Sequence, residues 1–222
     1  MIIKILLYLA AAAVAYLLGS ISTGVIVSKA YANVDIRKHG SGNVGMTNVM
    51  RTLGWLPSFL TFLGDAVKGA LATYLGYLIA GEIGMHIGGV FAVVGHNWPL
   101  YFHFRGGKGM STSLGYLLVF AWLVGLIELG VQLLVVVITG LMSLASIATA
   151  ILLPVLAAVM KPGNTAFLVA SAVLCAMALY SHRENIKRLA EGKENKLDAY
   201  KITAVSKKMM QKFKNRRKKK QS

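Results

Sequence analysis

Charge is scarce in this chain, and acidic charge is the scarcest. Only 14% of the 222 residues are charged, where soluble domains average about a quarter. With 56% hydrophobic residues and a mean hydropathy of +0.61, this excludes a soluble globular domain and leaves an integral membrane protein. Cysteine is nearly absent. Cys175 stands alone in an apolar run, so there is no internal disulfide and no information on redox compartment. No second His or Cys falls at ligand spacing from His96, so no metal is expected, and no cofactor. The eight acidic residues face 24 basic ones, a formal net charge of +16. Nine of the basic residues precede position 182 and fifteen crowd into 183–222. The membrane body is therefore almost neutral, and the excess charge is a tail.

Long uncharged runs are what the chain does have. Ile5–Ser28 is 24 residues without a charge, longer than a signal-peptide core of about 7–15, and reads as a first membrane helix. Other charge-poor runs lie at 55–80, 83–104, 110–127, 129–160 and 164–180. A crossing needs about 20 residues. The run 129–160 is too long for one pass, and Gly140 with Ser143-Leu144-Ala145-Ser146 offers a break. Basic clusters at 29–51, at 105–108 and after 182 belong on one side, by the positive-inside rule. The pattern predicts an all-α polytopic membrane protein of about seven transmembrane helices, near 5–28, 55–80, 83–100, 110–127, 129–142, 146–160 and 164–181. The N-terminus lies outside and the C-terminus in the cytoplasm, and Glu82, Glu128 and Lys161 mark outer turns. Residues 1–190 make the transmembrane domain and 191–222 a basic, disordered cytoplasmic tail. Such a tail is drawn to anionic lipid at about 1 kcal/mol per nearby cation. It carries no recognition features for nucleic acid.

Four polar segments fall on the cytoplasmic side in this topology: 35–51, 96–109, 143–147 and 182–188. The first, Gly40-Ser41-Gly42-Asn43-Val44-Gly45-Met46-Thr47-Asn48, nearly spells a Walker A loop but has Met46 where the lysine belongs, which argues against nucleotide hydrolysis. Its glycines still permit close backbone approach to a phosphate. Ser41, Asn43, Thr47 and Asn48 can donate hydrogen bonds, and Arg51 shares a helix face with Thr47. In the second, Gly106, Gly107 and Gly109 surround Lys108 just before an apolar run, which suits an anion held by a helix N-terminus and a cation. His182 and Asn185 are i,i+3 neighbours at the edge of the last apolar run. Asp65 and Lys68 sit three apart deep in the second span, an expensive placement unless the two pair with each other. They read as a structural pair.

Ser41-Gly-Asn-Val-Gly-Met-Thr-Asn-Val49 with Arg51, Gly95-His-Asn-Trp-Pro99, Gly106-Gly-Lys-Gly109, Ser143-Leu-Ala-Ser-Ile147 and His182-Arg-Glu-Asn-Ile186 occur in that order. Together they resemble the bacterial membrane acyl-phosphate:glycerol-3-phosphate acyltransferases of the PlsY type, over roughly residues 1–190. Met46 stands where that family's alanine is expected, and none of the five histidines has the aspartate five positions on that soluble-domain acyltransferases use. The resemblance implies acyl transfer from a fatty acyl phosphate to the 1-hydroxyl of sn-glycerol 3-phosphate at the cytoplasmic face of the inner membrane, with no cofactor. It implies that Ser41, Arg51, Lys108, His182 and Asn185 hold glycerol phosphate. Asn43, Thr47, Asn48, Gly42 and Gly45 then cradle the acyl phosphate, with Gly106, Gly107, Gly109, Ser143 and Ser146 also among the substrate-binding residues. A transporter of organophosphate anions could use the same glycines and cations, but needs polar residues deep in several helices. A non-catalytic scaffold would depend on the basic tail.

Overall fold

The computed structural model describes residues 1–198, 202–208 and 211. Among these residues every regular element is helical. The helices are α1 (Ile2–Gly19), α2 (Thr23–Ala32), α3 (Met46–Leu53), α4 (Trp55–Asn97), α5 (Met110–Phe120), α6 (Trp122–Thr139), α7 (Met142–Met160), α8 (Thr165–Ser181) and α9 (Arg183–Ala190), with 3-10 turns at Ile36–Lys38 and Leu100–Phe102. Four helical stretches are long and apolar enough to cross a membrane, or five with the bent pair α8 and α9. Their outward side chains are Leu, Ile, Val and aromatic residues, as a lipid-facing surface requires. The chain divides into two compact units: Met1–Ser22 with Asp65–Lys196, and Thr23–Gly64 with Leu197–Ser222.

In the first unit α4 breaks at Ala80 and Gly81, whose backbones leave the helical region. The chain reverses there into an antiparallel hairpin, with Gly76 against Gly84 and Gly88 against Ala72. Small residues let membrane helices approach closely, and Ala15 of α1 packs with Ala72 and Ala92 in the same way. A second core joins Val93, Tyr116, Leu117, Val124, Leu153, Phe167 and Leu174, tying α4 through α8 together. At one end of this unit Asn164, in the α7–α8 turn, donates to Glu82 beside the α4 break at 2.7 Å. The ammonium of Lys161 stands over the Phe120 ring at the close of α5, 6.0 Å from its centroid. At the other end lie the 98–109 loop, the α6–α7 turn at Gly140, and α9 with the segment that follows it.

Glu128 is not in an outer turn. It lies within α6 and is 7% exposed. The chain reverses earlier, at Ala121, leaving α5 only 11 residues long. No glycine, proline or charge marks that break, whereas the lone carboxylate of Glu128 imitated one. The first predicted span also ends early. α1 stops at Gly19, where the Ser20 hydroxyl donates to Tyr16 O at 2.8 Å and accepts the Leu100 N–H at 3.2 Å. Ile21 is thereby released from the helix, and its carbonyl receives the buried Lys68 ammonium at 2.7 Å.

The second unit is built around the segment between α2 and α3. Asp35 caps the 3-10 turn by accepting Arg37 N, and pairs with the Arg37 guanidinium at 3.0 Å. That guanidinium holds the Asp35 carboxyl below the usual carboxylate range. Within the tail expected from 191 onward, residues 202–208 are helical. Ser206 Oγ there accepts the Trp55 N–H at 3.1 Å. The basic run Arg216-Arg217-Lys218-Lys219-Lys220 lies outside the described residues.

Candidate active site

The glycine-rich segment of the second unit is organised by Asn48, at the start of α3 and 2% exposed. Its Oδ1 accepts the Ser41 N–H at 3.0 Å. Its Nδ2 donates to His39 O at 2.9 Å and to Asn43 O at 2.8 Å. Asn43 Oδ1 in turn accepts the Gly45 N–H at 2.8 Å. Asn48, expected to donate a hydrogen bond to phosphate, has both ends of its amide engaged within the loop. Its work is to curl residues 39–45 ahead of the α3 N-terminus. Ser41 is left exposed on that loop, and Thr47 and Arg51 follow on α3.

In the first unit the 106–109 loop is gripped by the end of α4. Gly107 N donates to His96 O at 3.0 Å, and a Cβ on Gly107 would land on His96 Nε2. His96 is 5% exposed, with Nδ1 3.3 Å from Asp65 Oδ1. Asp65 also pairs with Lys68 Nζ at 2.9 Å. The structural pair predicted within one helix therefore reaches across the hairpin to the residue that shapes the loop. Asn97 continues the frame, donating to Ser181 Oγ at 3.1 Å and so joining the end of α4 to the end of α8.

Lys108, His182 and Asn185 come together where this loop meets α8 and α9. Lys108 Nζ donates to Asn185 Oδ1. His182 lies just past α8, is 3% exposed, and donates from Nδ1 to Ala178 O at 2.8 Å. That bond leaves Nε2 as the acceptor of a neutral ring. Burial, and then the Lys108 ammonium, pull the His182 pKa down to about 4. The cluster thus offers a cation, an amide and an uncharged imidazole in one place, a set suited to an anion bearing a hydroxyl.

Ser143 and Ser146 lie buried in the first turns of α7. Ser146 Oγ donates to Met142 O at 3.0 Å and accepts from Gln132 Nε2 at 3.1 Å. Gln132 of α6 carried no motif in the sequence. Glu194, also unforeseen, receives both Asn185 Nδ2 at 3.1 Å and Arg188 Nε at 3.0 Å. Its only sequence signal is rarity, as one of eight acidic residues.

Residues 9–192 match the model of the family described as glycerol-3-phosphate acyltransferase. The chain belongs to that family. It is 45% identical over 200 residues to a glycerol-3-phosphate acyltransferase of Clostridioides difficile (strain 630), covering 87% of this chain and 97% of that protein. To the acyltransferase of the same name from Thermoanaerobacter sp. (strain X514) it is 41% identical over 186 residues, covering 84% and 93%. Its fold is similar to the crystal structure of PlsY (YgiH), an integral membrane glycerol 3-phosphate acyltransferase, in the glycerol 3-phosphate form. The TM-score is 0.82 at 34% identity over 88% of this chain and 98% of that one. The lysophosphatidic acid form gives 0.80. A glycerol-3-phosphate acyltransferase of phospholipid synthesis is an enzyme, which sets aside the carrier and scaffold readings.

Proposed function

We propose that this acyltransferase moves a fatty acyl group from an acyl phosphate to the 1-hydroxyl of sn-glycerol 3-phosphate. The products are 1-acyl-glycerol 3-phosphate (lysophosphatidic acid) and phosphate, and the reaction takes place at the cytoplasmic face of a bacterial inner membrane. The observation that supports this most is the meeting of half-buried Lys108 with buried Asn185 and His182, in a family with a member crystallised in glycerol 3-phosphate and lysophosphatidic acid forms.

On this reading Ser41, Arg51, Lys108, His182 and Asn185 hold glycerol phosphate. Asn43, Thr47, Gly42 and Gly45 approach the acyl phosphate through a loop that Asn48 shapes, while Gly106, Gly107 and Gly109 keep the Lys108 loop open. Ser143 and Ser146 complete the substrate-binding set. An acyl phosphate is a mixed anhydride with a good leaving group, so no covalent enzyme intermediate is needed and positioning with charge stabilisation suffices. The substrate hydroxyl oxygen bonds to the acyl carbonyl carbon. The bond from that carbon to the phosphate oxygen breaks, and phosphate leaves with the electron pair. An imidazole whose pKa is held near 4 is a weak base. His182 Nε2 therefore orients the hydroxyl, and the proton passes to a substrate phosphate oxygen.

Purified protein given labelled glycerol 3-phosphate tests the donor. Palmitoyl phosphate should yield the 1-acyl product with stoichiometric phosphate release, and palmitoyl-CoA should yield none. Equal turnover from the thioester would overturn the donor assignment. Full activity in both Arg51→Ala and Lys108→Ala would overturn the assigned site.

A further inference from the structure

Glu194 stands two residues beyond the stretch that matches the family model, in a segment whose sequence reads as solvated tail. Its side chain is nonetheless only 4% exposed. The route by which it returns is local. After α9, Gly192 adopts φ 67°, Gly192 N donates to Leu189 O at 3.1 Å, and Lys193 N donates to Arg188 O at 2.8 Å. This paired closure turns the chain back across the last turn of a helix and relies on a left-handed residue. Glu194 is thereby laid over α9, where Oε1 accepts Asn185 Nδ2 at 3.1 Å and Oε2 accepts Arg188 Nε at 3.0 Å.

An asparagine amide has a donor end and an acceptor end, and only one of its two orientations can serve Lys108. With the NH2 group bound by the Glu194 carboxylate, Oδ1 is the end presented to Lys108 Nζ. Without that carboxylate the NH2 end loses its partner, and only the contact with Lys108 itself holds the amide in place. Arg188 fixes the other carboxylate oxygen, so the orientation is set from both sides.

We propose that Glu194 is a positioning residue that sets the Asn185 amide, and through it Lys108, for the phosphate of glycerol 3-phosphate. This rests on the reading that Lys108 and Asn185 bind that phosphate. Steady-state kinetics of the full-length enzyme in detergent, varying glycerol 3-phosphate at saturating palmitoyl phosphate, provide the test. Glu194→Ala and Glu194→Asp, whose carboxylate is one methylene too short, should each raise KM about tenfold with kcat within about threefold, as for loss of a uniform binding interaction. Glu194→Gln keeps one oxygen for Asn185 Nδ2 but turns its own NH2 toward Arg188 Nε, and should recover part of the KM lost in Ala. A merely structural role would lower kcat per mole of protein and leave KM unchanged, and would overturn the proposal. An unchanged or lowered KM in the Ala and Asp variants would overturn it too. So would a Gln variant as impaired as Ala, because the acceptor kept for Asn185 would then have no effect. Lys108→Ala and Asn185→Ala, measured alongside, separate the two levels. If both keep the parent KM and kcat, the site reading fails and takes this proposal with it. If both are impaired while Glu194→Ala is not, the proposal alone fails.

Discussion

The imidazole of His96 occupies the space into which a Cβ on Gly107 would project. Backbone and side chain of one residue therefore hold the Lys108 loop from two directions, because Gly107 N also donates to His96 O at 3.0 Å. Gly107→Ala must displace either the loop or the ring, and the ring is restrained by Asp65 at 3.3 Å. We expect Gly107→Ala to lower kcat/KM for glycerol 3-phosphate about tenfold or more, as sub-ångström misplacement of binding groups does. His96→Ala in the same chain should return part of that activity by making room. The comparison of the single and double variants in one acyl-transfer assay checks it, and a double variant no better than the single would show that space is not the constraint.

The Asp65–Lys68 pair lies almost wholly inside the protein, with side-chain exposures of 2% and 7% at 2.9 Å. Removing one member strands the other. Asp65→Leu should destabilise the protein by about 3–5 kcal/mol, whereas Asp65→Leu with Lys68→Met should recover part of that loss, since an apolar pair of similar volume replaces a desolvated ion pair but leaves Ile21 O without its donor, at about 1–3 kcal/mol. Thermal unfolding of the detergent-solubilised variants reads this directly. Equal midpoints for the single and double variants would remove the argument.

This pair was legible in the sequence because i,i+3 spacing places two side chains on one helix face, and so were Lys108, His182 and Asn185, which stand beside helix ends. Glycine spacing announced the 40–48 loop, but not that Asn48 is its buried organiser, since a donor and an organiser have the same residue type. The break at Ala121 carries no turn residue, so the charge nearest to it, the carboxylate of Glu128, stood in for a turn, and the fold buries it in α6. Neutral serines ended α1 without any change in charge. Glu194 depends on a chain reversal at Gly192, and its meaning comes from a contact with Asn185 that no periodicity encodes.

Asn48 offers a direct test of its internal role. Asn48→Asp keeps an acceptor for the Ser41 N–H but turns the two donor contacts, with His39 O and Asn43 O, into oxygen facing oxygen. Asn48→Ala leaves the same carbonyls unpaired without repulsion. Leaving buried polar partners unsatisfied costs about 1–3 kcal/mol each, so Asp should be at least as damaging as Ala to both thermal stability and acyl transfer. A residue that only donated to substrate would impair activity in both variants while leaving the unfolding midpoint where it was.

His182 makes a prediction about pH. Its folded pKa is about 4, against about 6.5 for a free imidazole. Between those values the unfolded chain binds a proton that the folded chain does not, so the stability owed to this residue falls as pH drops from about 6.5 to about 4 and stays constant below that. Above about pH 6.5 both states are neutral there and the contribution is complete. Activity should follow the same logic. A neutral His182 across the physiological range predicts that His182→Gln leaves the positions of any bends in log kcat/KM between pH 6 and 9 where they are in the parent. Replacement of Lys108 by Met removes the second cause of the depression but leaves burial, the larger one. In that variant the His182 transition should move upward yet remain below the free-imidazole value. A bend near pH 6.5 in the parent that vanishes in His182→Gln would show instead that the imidazole ionises during turnover and takes the hydroxyl proton itself.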